Sequence, residues 1–191
     1  MTGTAAPGAD KDVTLVRLDL DTLAALIRGD LDVASERAGV PLTPYLLDQA
    51  WLWRIRHEQI RDDPEAAGWI ARAALVDGKV VGHVGFHGPP DEAGMVEVAY
   101  SVDPLCRRQG HARRLLATAL AWAASDPRVR TVRASISPTN VASLATIRPF
   151  GFTRVGEQWD DEDGLELVYE RPSPLTPTLG RHRPDAASSG G

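Results

Sequence analysis

Glu97-Val-Ala-Tyr-Ser-Val-Asp-Pro-Leu-Cys-Arg-Arg-Gln-Gly-His-Ala-Arg-Arg-Leu-Leu116 is the stretch on which the fold turns. An apolar strand-like run ends at Val102, Asp103-Pro104 turns the chain, and an Ala/Leu-rich helical pattern opens at Gly110. That pattern runs to Ser125, with Leu116, Leu120 and Ala123 on one stripe. Backbone N–H groups at a helix N-terminus are unpaired and carry partial positive charge, so a strand–turn–helix of this kind suits a phosphate. Gly110 and Ala112 let a bulky anion approach the backbone. Between Arg107 and Leu120 there are four arginines and no acid, in a chain whose formal net charge is -5. A basic patch inside an acidic protein marks a local anion site.

Outward from this stretch the periodicity switches in an orderly way. Upstream, Val13–Asp19 alternates as a strand and Asp21–Arg28 is helical after an Asp cap. Pro44–Arg61 carries Leu47, Trp51, Ile55 and Glu58 at helical spacing. Two strands, 68–76 and 80–87, flank the hairpin signal Asp77-Gly78, and 94–102 is the next strand. Downstream, 129–135 reads as a strand, 139–147 as a short helix, and 152–157 and 165–170 as strands. The order β-α-α-β-β-β-α-β-α-β-β predicts one mixed α/β domain, a mixed sheet with helices on both faces.

That domain is expected over 13–171, between a loose N-terminus (1–12) and a tail (172–191) with four Pro, three Gly and three Ser. The length of 191 residues supports one core and not two. Net acidity argues against bulk nucleic-acid or anionic-membrane binding. One cysteine, Cys106, excludes an internal disulfide. No apolar run reaches the roughly 18 residues of a spanning helix, and the first residues do not read as a signal peptide. A cytoplasmic location, as monomer or homodimer, is the expectation.

Other phosphate loops lack their residues: there is no Gly-x-x-x-x-Gly-Lys-Ser/Thr, and no Gly-x-Gly-x-x-Gly after a strand. Instead, Arg107-Arg-Gln-Gly-His-Ala112 resembles the Gln/Arg-x-x-Gly-x-Gly/Ala signature of the GNAT superfamily of acyl-CoA-dependent N-acyltransferases. Asn140-Val-Ala-Ser143 and then Gly151-Phe152 are similar to that family's Asn-x-x-Ser helix and the Gly-Phe opening its next strand. The closing half, with Trp159 and the acidic hairpin, looks like the subgroup related to ribosomal-protein N-terminal acetyltransferases.

The resemblance implies acetyl-CoA as acyl donor, an amine as acceptor and no metal. It implies that Arg107, Arg108, Gln109, Gly110, His111, Ala112 and Arg113 cradle the pyrophosphate. It further implies that Tyr100, Ser101 and Val102 pair with the pantetheine amides as an added strand would. Asn140 and Ser143 would contact the pantetheine arm or the leaving sulfur. The strands 94–102 and 129–135 would be parallel neighbours that splay apart, with a bulge near Tyr100 setting the register.

Acyl transfer to an amine needs a neutral amine, a polarised thioester and a tolerable leaving group. Glu97, a carboxylate inside an apolar strand, is the candidate for removing the proton through water, unless it pairs with an arginine. A backbone N–H near Val102 could hold the oxyanion. The family's usual helix tyrosine falls at Ile147, so Ser143, ahead of Thr146 or water, is the candidate proton donor. A thiol pKa of about 8.5 makes thiolate a fair leaving group in any case.

His83 and His87 share a strand face without further metal ligands. Cys106 adjoins two arginines, which could lower its pKa. Trp51, Trp53, Trp69 and Trp122 read as core and rim packing. Asp160–Asp163 reads as an acidic rim that attracts a protonated amine, or as a solvated turn. The reading is direct acetyl transfer to a primary amine, either a peptide N-terminus or a small amine. Its rival is a non-catalytic coenzyme A-binding module.

Overall fold

The computed structural model describes residues 12–161 and 164–174. Seven strands form one sheet: β1 (Val13–Arg17), β2 (Arg72–Val76), β3 (Lys79–Phe86), β4 (Met95–Val102), β5 (Thr131–Ile136), β6 (Thr153–Asp160) and β7 (Gly164–Pro172). Their order across the sheet is β1-β2-β3-β4-β5-β7-β6. Every neighbouring pair is antiparallel except β4–β5, which is parallel. The parallel pair needs a crossover, and the helix α5 (His111–Ser125) supplies it.

Four helices separate β1 from β2: α1 (Leu20–Arg28), α2 (Leu31–Ala38), α3 (Pro44–Leu47) and α4 (Ala50–Asp62). The periodicity read only two there. The missed helix α2 has few apolar residues to set a stripe, but its caps are in the sequence. Asp30 accepts the Val33 N–H at its start, and Gly39 closes it in the left-handed region. The expected helix 44–61 is interrupted at Asp48-Gln49, so the phase set by Leu47 does not carry through. The α4 residues facing the core are Trp53, Arg56 and Ile60, whereas Trp51 is 54% and Ile55 40% exposed. Trp53 is held by its indole N–H donating to the Leu46 carbonyl. Buried Arg56 is satisfied by Gln59 Oε1 at 2.6 Å and the His87 carbonyl at 3.3 Å.

Alternation along the strands assigns the two sheet faces. Tyr45 and Trp53 pack on the His83 ring, at 6.0 and 5.1 Å between centroids, so α3 and α4 cover the face of His83 and Ser101. On the opposite face Phe86 meets Trp122 of α5 edge-on at 4.9 Å, and Trp69 stacks on Trp122 at 5.9 Å. Leu115, Leu116, Ala119, Leu120 and Ala123 are buried, as the α5 stripe predicts. The last helix, α6 (Val141–Ile147), lies beyond β5 and packs on α5.

Two features of β4 position the site. First, its register with β3 is unbroken from Phe86↔Val98 to Gly82↔Val102, so the bulge expected near Tyr100 is absent. The irregularity falls instead at Ala74/Leu75, in the β2–β3 pair. Second, pairing with β5 covers only Met95↔Thr131, Val96↔Val132 and Glu97↔Arg133. Beyond Glu97 the two parallel strands part.

Gly82 sits where β3 passes closest to β4. A Cβ there would collide with the Ser101 carbonyl oxygen, and the obstacle is backbone, which cannot swing aside. Gly82→Ala is therefore expected to lower the unfolding free energy by about 1–3 kcal/mol, read from a denaturant titration.

Candidate active site

Two cavities open where β4 and β5 part. The larger, about 640 Å³, runs along Tyr100, Ser101 and Val102 to the turn after β4 and the start of α5. The smaller, about 280 Å³, lies between the strands and is lined by His87, Glu97, Ala99, Ser135, Ser137 and Glu166 among others. Tyr100, Asn140 and Ser143 line both.

The walls of the larger groove follow from local chemistry. Asp103 accepts the Leu105 N–H and starts a 3-10 turn over Pro104–Cys106, which swings the chain out of β4. Arg108 (φ 62°) and Gly110 (φ 80°) then adopt left-handed backbone, and α5 begins at His111 with no acid in its first turn. Its N-terminal N–H groups and positive end, with Arg107, Arg108 and Arg113 beside them, line the groove. His111 is buried at the head of the helix. Of the expected loop residues Arg107, Arg108, Gly110, His111, Ala112 and Arg113 line the groove; Gln109 does not.

Which backbone groups of β4 face the gap is fixed by its pairing with β3. His87 N–H donates to the Glu97 carbonyl and Asp103 N–H to the Val81 carbonyl, so odd-numbered residues of β4 bond toward β3. The amides and carbonyls of Val98, Tyr100 and Val102 consequently face the gap. Ser101 is turned away, and its hydroxyl accepts from Tyr45 at 2.6 Å. The expected edge of Tyr100–Val102 thus reduces to Tyr100 and Val102. The Val102 carbonyl also accepts from Arg107 Nε at 3.2 Å, which ties the loop back to the strand.

In the smaller cavity Glu97 is half-buried. Arg133, its register partner, gives its guanidinium to Glu170 at 2.6 and 3.0 Å. The arginine pairing that would have neutralised Glu97 is thereby taken up elsewhere. Glu166 is oriented by Gln158 Nε2 at 3.0 Å, and Gln158 also donates to Ser135. His87 stands at the open mouth, its carbonyl clamped by Gln59 at 2.9 Å and by Arg56. Packing against the site pushes its pKa down, opposed by Glu97, Glu166 and Asp160, while Arg56 adds to the fall. Asp160 is close enough to act on His87, and Asp161 follows it; Glu162 and Asp163 lie outside the described residues.

At the shared wall, Asn140 caps α6 by accepting the Ser143 N–H at 3.0 Å. Ser143 is half-buried, and Ile147, the usual tyrosine position, is packed into the core. Burial first, and the Asp103 carboxylate second, push the Cys106 thiol up, opposite to the lowering that the adjacent arginines suggested. Among the described residues no cluster of three or more His, Cys, Asp or Glu could hold a metal ion, and no helix is long and apolar enough to cross a membrane.

The acetyltransferase (GNAT) domain matches residues 13–153. This chain belongs to the GNAT acetyltransferase family. A Bacillus subtilis (strain 168) protein described as the uncharacterized N-acetyltransferase YjdG is 32% identical over 74 residues. Those residues are 39% of this chain and 44% of that protein, so the match spans less than half of the relative. Among solved structures, the ribosomal L7/L12 alpha-N-protein acetyltransferase RimL in complex with coenzyme A has a TM-score of 0.60 at 15% identity. That match covers 87% of this chain and 97% of the other. The aminoglycoside acetyltransferase AAC(6')-Ib in complex with coenzyme A gives 0.60 at 17%, covering 84% and 95%. These likenesses establish a shared fold.

His83, below the site, makes a pH test of this architecture. Burial first, and the Arg56 charge second, push it down to about 4 from an ordinary 6.5, and Nε2 has no hydrogen-bond partner among the described residues. The folded state holds the ring neutral while an unfolded chain protonates it, so its contribution is complete above pH 6.5 and is lost as pH falls through about 4. His83→Phe is expected to remove about 3 kcal/mol of the fall in stability across that window, measured by denaturant titrations at each pH.

Proposed function

We propose that the protein transfers an acetyl group from acetyl-CoA directly to a primary amine, either a peptide N-terminus or a small cationic amine. The observation that carries this reading is the meeting of two chemically opposite cavities at Tyr100, Asn140 and Ser143. One is lined by arginines and a helix N-terminus and suits a pyrophosphate. The other is lined by Glu97, Glu166 and His87 and suits an ammonium. The coenzyme A complexes of RimL and of AAC(6')-Ib support the donor assignment by analogy of fold.

On this reading the gap-facing backbone groups of Tyr100 and Val102 align the donor's amide-bearing arm, as an added strand would. Arg107, Arg108 and Arg113 hold its phosphates, with the N–H groups of Gly110, His111 and Ala112. Glu97 takes the proton of the ammonium through water and releases a neutral nucleophile. His87, at the mouth, is the residue through which that proton can leave for solvent. An N–H of the β4 edge donates to the oxygen of the attacked carbonyl as charge builds there. Ser143 protonates the departing sulfur. The sequence shows no evident Cys–His or Ser–His pairing, which favours direct transfer over a covalent acyl-enzyme. Ile147 is packed into the core, and the Ser143 hydroxyl that lines both cavities supports catalysis over a merely binding module.

Glu97→Gln is expected to lower kcat about 100-fold or more with the KM for acetyl-CoA little changed. The assay is coenzyme A release across free-N-terminal peptides, lysine peptides, polyamines, aminoglycosides and arylamines. Release with one amine class names the acceptor. Wild-type turnover in Glu97→Gln removes Glu97 as base, and silence across the panel removes the acetyltransferase reading.

A further inference from the structure

Tyr100 is the least conventional occupant of the site. Its backbone belongs to the gap-facing edge of β4, but its side chain crosses to the α6 side and ends at the wall shared by both cavities. The phenol oxygen is buried, and among the described residues it makes no hydrogen bond. It lies against the hydroxyls of Ser143 and Thr146 without an aligned bond to either. A buried hydroxyl left without a partner costs on the order of 1–3 kcal/mol, so a site that keeps one has a use for it.

Proton accounting narrows that use. Thr146 Oγ1 donates its proton to the Ala142 carbonyl at 2.8 Å, so it can only accept. Ser143 has its N–H committed to Asn140, and its hydroxyl lies against the Tyr100 phenol. A serine hydroxyl alone is a poor acid. A phenol behind it changes that, because the alkoxide never has to form. Burial pushes the Tyr100 pKa above its ordinary value, with the two hydroxyls pulling partly back, so the group stays protonated at neutral pH.

We propose that Tyr100 is a positioning residue that donates to Ser143 Oγ and so aims the serine's proton at the departing sulfur. The inference rests on the acetyltransferase reading. In the step, the carbon–sulfur bond breaks and its electron pair goes to sulfur. Sulfur takes the Ser143 proton, Ser143 takes the Tyr100 proton, and after coenzyme A leaves, water in the cavity returns a proton to Tyr100 by way of Ser143, which lines both cavities. The sheet thus supplies the hydroxyl that position 147 on α6 lacks.

The test measures kcat and acetyl-CoA KM for wild type, Tyr100→Phe, Ser143→Ala and the double variant, with thermal melts of each. Tyr100→Phe keeps the ring and is expected to lower kcat about 10- to 100-fold, with KM within about twofold and an unchanged melt. The double variant is expected to fall no further than Ser143→Ala, because the two hydroxyls act as one unit. Wild-type kcat in Tyr100→Phe, losses that multiply in the double variant, or a loss carried by KM would each overturn the inference. Should Tyr100→Phe melt early, 3-fluorotyrosine at position 100 keeps the shape and acidifies the phenol. It is expected to change kcat with Ser143 present and not in Ser143→Ala; an equal change in both overturns the relay. A wild-type protein that releases no coenzyme A with any amine overturns the acetyltransferase reading itself, and this inference with it.

Discussion

The parting of β4 from β5 after the Glu97↔Arg133 pair is the constraint on which the rest of the molecule depends. A gap inside a sheet leaves backbone donors and acceptors without partners, and an apolar interior does not tolerate that cheaply. It persists because each strand is held on its far side. β4 is paired to β3 throughout its second half, and β5 is paired to β7 from Thr131 to Ile136. The half of the sheet that holds β3 and β4 is also clamped on both faces, by α3 and α4 on one and by α5 on the other. The opening is therefore a built feature whose polar edge is available to an extended ligand.

That opening also sorts charge. The turn after β4 and the first turn of α5 carry arginines and a positive helix end, whereas the walls below carry Glu97 and Glu166. Ion pairs that would cancel this separation are absorbed nearby. Arg133 is taken by Glu170, and Arg56 is committed to Gln59 and to the His87 carbonyl. What remains is a cationic groove and an anionic cup separated by three polar residues. On the proposed function, a donor with phosphates and an acceptor with an ammonium are thereby kept apart until their reacting ends meet.

Much of this was legible in the chain. The loop around Arg107–Ala112, the α5 stripe and the Asp77-Gly78 hairpin are local signals: each is fixed by neighbours a few residues away. The failures share a physical origin too. The stripe Leu47, Trp51, Ile55 and Glu58 assumed one helix, and the break at Asp48-Gln49 rotated the buried face onto Trp53, Arg56 and Ile60. The Cys106 thiol was read from adjacent arginines, but burial first, and the Asp103 carboxylate second, push it up. The bulge expected near Tyr100 came from resemblance to the family, and in this chain β4 keeps its register.

The sequence by itself determined the class of fold, the arginine-rich turn that opens α5 and the family, because those rest on period, capping and a short contiguous motif. Only the tertiary structure decided which groups of β4 face the gap, since that depends on pairing parity with β3. It also decided that Arg133 turns to Glu170, leaving the Glu97 carboxylate in the cavity. The meeting of Tyr100 with Ser143 across 43 residues of chain belongs to it as well, counted from 100 to 143. A hydroxyl's partner is set by what packs within about 3 Å of it. Sequence spacing cannot supply that distance when strand and helix come from opposite ends of a crossover.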